Sequence, residues 1–182
     1  MGLDPFDPLY PLLLIVLNQY SFFKYYHPYF DILDANLSPD EYFSRSALLF
    51  WSIIVIAARQ YQHDATLYSE LTPPVTRMMW SAISTLPHTR FIVQAILLLS
   101  VWPFPTNSMS TDPSFVLVSI AKSASMQLGL HRPEIIQDFM RVKTRLGPEE
   151  FQDAVKTWVG GFIAAQRSAS NSKCGIIYSN YQ

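Results

Sequence analysis

Apolar residues in this chain come in blocks with helical spacing, separated by prolines and capping residues. Ser38-Pro39-Asp40-Glu41 is the sharpest start signal. Serine caps a helix, proline suits its first position, and an acid three residues after the cap reaches back to the cap's own N–H. Thr72-Pro73 and Asp112-Pro113 repeat the cap-then-proline arrangement, and Gly147-Pro148-Glu149-Glu150 opens a helix with acids in its first turn. The pattern predicts helices over Pro11–Tyr26, Pro39–Arg45, Ala47–Gln60, Pro73–Thr85, Arg90–Val101, Pro113–Leu128, Pro133–Arg145 and Pro148–Ser170.

Two of these helices carry an apolar stripe at three-and-four spacing, which predicts a core-facing side. Phe115, Val118, Ala121, Ser125 and Leu128 form one; Phe151, Val155, Trp158, Phe162 and Ala165 form the other. Gly129 follows the first, where a left-handed C-terminal cap is expected. Gly160-Gly161 sits inside the second and predicts either close helix packing or a kink. Ile176-Ile177-Tyr178 is readable as a short strand, but no alternating run of useful length occurs, and no solenoid repeat. Pro103 to Thr111 reads as an exposed connection within one domain. The expected fold class is all-α, an irregular multi-helix array of about seven to eight helices.

Composition sharpens this picture. The chain has 182 residues, 49% hydrophobic and only 15% charged, with 14% aromatic. Average chains carry about a quarter charged residues, so much of this surface is expected to be covered, by further sequence or by a partner. The low charge also argues against disorder. A formal net charge of −1 supplies no field for nucleic acid. Arg141, Lys143 and Arg145 are the densest basic stretch, and they read as complements to a helix C-terminus rather than a phosphate site. Cys174 is the single cysteine, which excludes an internal disulfide and suits a reducing compartment. No signal peptide is legible, because Asp4 and Asp7 stand where positive charge is needed. The apolar runs Ala47–Ala58 and Phe91–Phe104 fall short of the about 20 residues of a membrane span.

Catalytic motifs are missing: there is no nucleophile elbow, no phosphate-cradling glycine loop and no histidine pair four apart. His27, His63, His88 and His131 match no metal-ligand spacing, and hydrogen bonding is their expected role. Asp31, Asp34, Asp40 and Glu41 are read as turn and capping residues. Trp51, Trp80, Trp102 and Trp158 lie in or at the ends of apolar helices and are read as core, or as the lining of a cavity.

An ordered set of segments nonetheless has a known likeness. It starts with Phe22-Phe23-Lys24-Tyr25-Tyr26-His27-Pro28-Tyr29-Phe30 and Ile32-Leu33-Asp34. Ser46-Ala47-Leu48-Leu49-Phe50-Trp51 and Ile53 to Arg59 come next, then Leu86-Pro87, Gln94 to Leu99 and Trp102-Pro103-Phe104-Pro105. Asp112-Pro113-Ser114, Ala121, Gln127-Leu128-Gly129-Leu130-His131-Arg132-Pro133 and Thr157-Trp158 complete it. Together these resemble the fungal-specific transcription factor domain, the middle homology region of the binuclear zinc-cluster regulators. Ser119 stands where the resemblance expects glycine.

The resemblance implies one helical regulatory domain over 1–182, family-like over about 22–170 and part of a larger helical domain. It implies transcription regulation, a nuclear location with the cytosol as second choice, and no enzyme activity. The family's six-cysteine cluster cannot be built from one cysteine. So zinc, direct nucleic-acid binding and any other cofactor are not expected of this chain. Expected partners are proteins or a second copy meeting apolar helices, and a small-molecule effector. His27, Trp51, Arg59, Trp102, His131 and Arg132 are the candidate regulatory or structural positions. The competing readings are a membrane-associated helical protein and a small helical enzyme with no recognisable motif.

Overall fold

A computed structural model describes residues 19–61, 64, 66–106, 108–139 and 147–179, with side chains as far as Ala169 except at 109, 137 and 138. His63, Arg141, Lys143, Arg145, the start of the first predicted helix and the Cys174 side chain lie outside these. The described residues form an all-α array. Its helices are α1 (19–25), α2 (Pro39–Arg45), α3 (Ala47–Ala58), α4 (Leu67–Ser84), α5 (Arg90–Val101), α6 (Ser114–Gln127) and α7 (Pro148–Ser179). Short 3₁₀ turns at His27–Tyr29, Met109–Thr111 and Pro133–Phe139 join them.

Helix α5 is the centre, packed on α3, α6 and α7. Every residue from Val93 to Val101 is buried, including Gln94 and Ser100. Helix α3 is nearly as enclosed, with Leu48–Phe50 and Ser52–Ala58 buried. A helix that is apolar all round has no solvent face and must be covered by neighbours. The buried serines in these helices bond the backbone one turn back: Ser52 Oγ donates to Leu48 O at 2.7 Å and Ser100 Oγ to Leu97 O at 2.7 Å.

The sequence signals at the helix ends hold in part. Ser38 and Glu41 make the full reciprocal capping box. After α6, Gly129 has φ +73°, with Leu130 N–H donating to Ser125 O and Gly129 N–H to Met126 O, the Schellman arrangement. Asp112 Oδ1 accepts from Ser114 N at 2.9 Å and steadies the start of α6.

Three expectations are corrected. Helix α4 starts at Leu67 and runs through Pro73 and Pro74, so Thr72 is no cap. Thr72 Oγ1 instead donates to Tyr68 O, and Thr76 Oγ1 to Thr72 O, side-chain bonds that tie the helix across its two prolines. The 3₁₀ turn Pro133–Phe139 replaces the start of the helix expected over Pro133–Arg145. The 176–178 segment is helical, as part of α7.

The apolar stripes are also shifted. On α6 the buried positions are Ser114, Leu117, Val118, Ala121, Ala124 and Ser125, and Phe115 is 59% exposed. On α7 they are the small ones: Ala154, Thr157, Gly160, Gly161, Ala164 and Ser168. Helix α7 approaches its neighbours too closely for large side chains. A Cβ on Gly160 would lie 2.5 Å from Ile32 Cγ2 and 3.3 Å from Phe30 Cζ. Phe151, Val159, Phe162 and Ile163 are consequently left at least a third exposed along the flank of α7.

Candidate functional site

A cleft opens beside the first turns of α7. One wall is the turn at His27 and the 31–37 loop, another is the end of α2 and start of α5, and the third is the first turns of α7. The cleft is open to solvent and has a volume of about 770 Å³, within the usual range for small-molecule sites.

A buried polar network lies behind the lining and reaches the cleft through Arg90 and Asp153. Gln94, 2% exposed, donates through Nε2 to Ile32 O (3.1 Å), Thr157 Oγ1 (3.0 Å) and Asp153 Oδ1 (3.3 Å). This one amide therefore ties α5 to both the loop and α7. Arg90 Nε stands 3.2 Å from Asp153 Oδ2, an ion contact rather than an aligned hydrogen bond. Burial pushes the Asp153 carboxyl above the usual carboxylate range, with Arg90 and the Gln94 hydrogen bond pulling the other way. Higher on the wall, Lys156 Nζ reaches both oxygens of Asp31 at 3.0 Å. Asp31, read from the sequence as a turn or capping residue, thus joins the loop to α7.

Two cations flank the Phe91 ring, with Arg90 Cζ 5.1 Å and Arg45 Cζ 5.6 Å from its centroid. Nearby, Tyr42 donates to Asp34 O at 2.5 Å, and burial raises the pKa of its phenol. Asp34 Oδ1 accepts from the backbone and side chain of Asn36, as the turn reading expected.

The six candidate positions do not converge on this cleft. His27 reaches it, and its Nε2 lies 2.9 Å from Leu33 O and 3.1 Å from Asp31 Oδ1. Arg59 and Trp102 meet elsewhere. From the end of α3 the Arg59 guanidinium donates to Trp102 O (2.9 Å), Pro103 O and Tyr68 Oη (3.1 Å), and stacks on the Tyr68 ring. The Trp102 ring meets Phe22, Tyr26 and Phe30 edge-on. His131 sits between Phe139 and Trp158, and its Nδ1 is buried without a hydrogen-bond partner among the described residues. Arg132 is exposed, and Trp51 is half-buried with its ring against Phe50. None of the four tryptophans is fully buried, and Trp80 is 43% exposed on α4.

Sequence reasoning missed Arg90, Asp153 and Lys156, and it gave Gln94 no role. Gln94 did carry a signal, a glutamine inside an otherwise apolar run. A buried amide in such a place must find partners. Asp153 and Lys156 looked like ordinary residues on the polar side of a helix. No group of three or more histidine, cysteine or acidic side chains suited to a metal ion occurs among the described residues, and no described helix is long and apolar enough to cross a membrane.

Residues 19–164, which hold this whole arrangement, match the family model of the fungal specific transcription factor domain. The chain belongs to that family. It is 40% identical over 147 residues to SEF1 of Kluyveromyces lactis and 34% identical over 134 residues to the transcriptional regulatory protein SEF1 of Candida albicans. These alignments take in 79% and 71% of this chain, but 13% and 14% of the relatives. The regulatory protein LEU3 of Saccharomyces cerevisiae is 24% identical over 162 residues, 80% of this chain and 18% of that protein. The chain thus spans less than a fifth of the length of the curated relatives it matches. No solved structure matches it.

Proposed function

We propose that this fungal-specific transcription factor domain is the regulatory region of a transcription factor. It acts in the nucleus through protein contacts, without enzymatic turnover or a cofactor of its own. The observation that carries this reading is the family match over 19–164. The net charge of −1 agrees with leaving DNA recognition to another part of a longer regulator. The absence of a long apolar helix among the described residues goes against the membrane reading.

The cleft gives regulation a physical handle. Its walls belong to three elements, and α7 is held to the other two by Gln94–Thr157, Arg90–Asp153 and Lys156–Asp31. A small effector touching both α7 and the loop stabilises the docked position of α7 by its differential affinity for that state. Exposed apolar side chains such as Phe115 and Phe162 are the surface for protein partners or a second copy.

The test fuses the chain between a heterologous DNA-binding domain and an activation domain and measures reporter output in yeast. Output should differ at least several-fold from that of an unrelated helical domain of equal length. It should change again with Lys156→Glu, which turns the Asp31 ion pair into a repulsion. Equal output from all three fusions would sink the proposal.

A further inference from the structure

We infer that the cleft beside α7 takes a small zwitterion, an α-amino acid whose carboxylate meets Arg45 and whose ammonium meets Asp34. The inference rests on reading that cleft as the effector site. It follows from which charges the protein has already paired. Asp31 is engaged by Lys156 and His27, and Asp153 by Arg90. Glu150 Oε2 accepts from Gly147 N at 3.0 Å and is occupied in starting α7. Four lining charges remain without an ion pair among the described residues: Arg45, Asp34, Glu149 and Glu150. Arg45 has only the Phe91 ring beneath it, and the Asp34 carboxylate accepts only from Asn36.

One cation and three anions without an ion pair thus line the same cleft, none within ion-pair distance of another. A simple anion placed against Arg45 would face Asp34 and Glu149. A simple cation placed against those acids would face Arg45. A molecule carrying both signs a few ångströms apart satisfies both, and a guanidinium recognises a carboxylate through two parallel hydrogen bonds. Phe91 and Leu37 supply apolar lining for the ligand's carbon atoms. The arrangement is preformed, because Gln94 locks the loop, α5 and α7 together before any ligand arrives.

The experiment titrates the 182-residue chain with each proteinogenic amino acid, using saturation-transfer NMR and calorimetry. Each amino acid that binds is compared with its decarboxylated amine and its deaminated acid. Saturable binding by one or a few amino acids is expected, with each partial analogue weaker by about tenfold or more, the loss of one charge-assisted contact. Arg45→Gln should abolish the preference over the amine, and Asp34→Asn the preference over the acid. Each variant reads a different ratio, so a folding failure in one leaves the other decisive, and circular dichroism identifies such a failure. Arg132→Gln, on an exposed residue away from the cleft, should change neither ratio.

No saturable binding by any amino acid up to about 10 mM, or an amine or acid binding as tightly as the parent, would overturn the inference. So would ratios that survive both substitutions. Binding as predicted with unchanged reporter output would support it while removing the effector role.

Discussion

Adjacent glycines in α7 should respond to the same substitution with opposite sign. At Gly160 an alanine Cβ would meet Ile32 Cγ2 at 2.5 Å and the Phe30 ring at 3.3 Å. The methyl belongs to a β-branched side chain that is 2% exposed, so it has little room to rotate away. Overpacking of this kind costs about 1–3 kcal/mol. Alanine recovers about 1 kcal/mol of helix propensity, leaving Gly160→Ala destabilised by up to about 2 kcal/mol. At Gly161 no atom lies within 4 Å of the added Cβ. Gly161→Ala therefore keeps the propensity gain and is stabilised by about 0.5–1 kcal/mol. With a urea slope of about 1–3 kcal/mol per molar, the two variants should differ in midpoint by about 1 M. Urea unfolding followed by circular dichroism at 222 nm reads this directly. A Gly160→Ala midpoint at or above that of the parent would refute the close seating of α7 on the 30–32 segment, and with it the wall of the cleft.

The buried amide should matter more than its size suggests. Gln94→Leu removes three contacts from Nε2 and should cost about 1–3 kcal/mol in the same unfolding assay. Arg59→Leu removes the charged Nη2 donor that holds the carbonyls of Trp102 and Pro103 and should cost about 1.5–3 kcal/mol; an unchanged midpoint would contradict the contacts described. Asp153 predicts a pH effect. Its native pKa is raised, so the unfolded chain ionises first and the folded state loses stability as pH climbs from the ordinary value of 3.8 through the raised one. Asp153→Asn lacks this loss, so its stability relative to the parent should increase over that window, and a relative decrease would reverse the assignment.

Helix positions were legible in the sequence wherever local chemistry decided them. The capping box at Ser38 and Glu41, the glycine cap at Gly129 and the fully apolar runs of α3 and α5 all fold as their residues suggest. The ordered motif set also carried the family, because motifs are sequence properties by definition. Local rules failed at Thr72-Pro73, where side-chain hydroxyls and the surrounding packing let α4 continue through two prolines. They failed again on α7, where hydrophobicity pointed to Trp158 and Phe162 as the buried side. Which face of a helix is buried depends on how near its neighbour comes, and a close neighbour selects Ala154, Gly160 and Ala164 over larger residues. The cleft belongs wholly to that second kind of information. Asp31 and Lys156 are 125 positions apart, and Gln94 and Thr157 are 63 apart. Sequence alone determined that this chain is helical, where most of its helices lie and which family it joins. Only tertiary packing decided which distant polar groups share a site, because no local periodicity encodes a contact between residues so far apart along the chain.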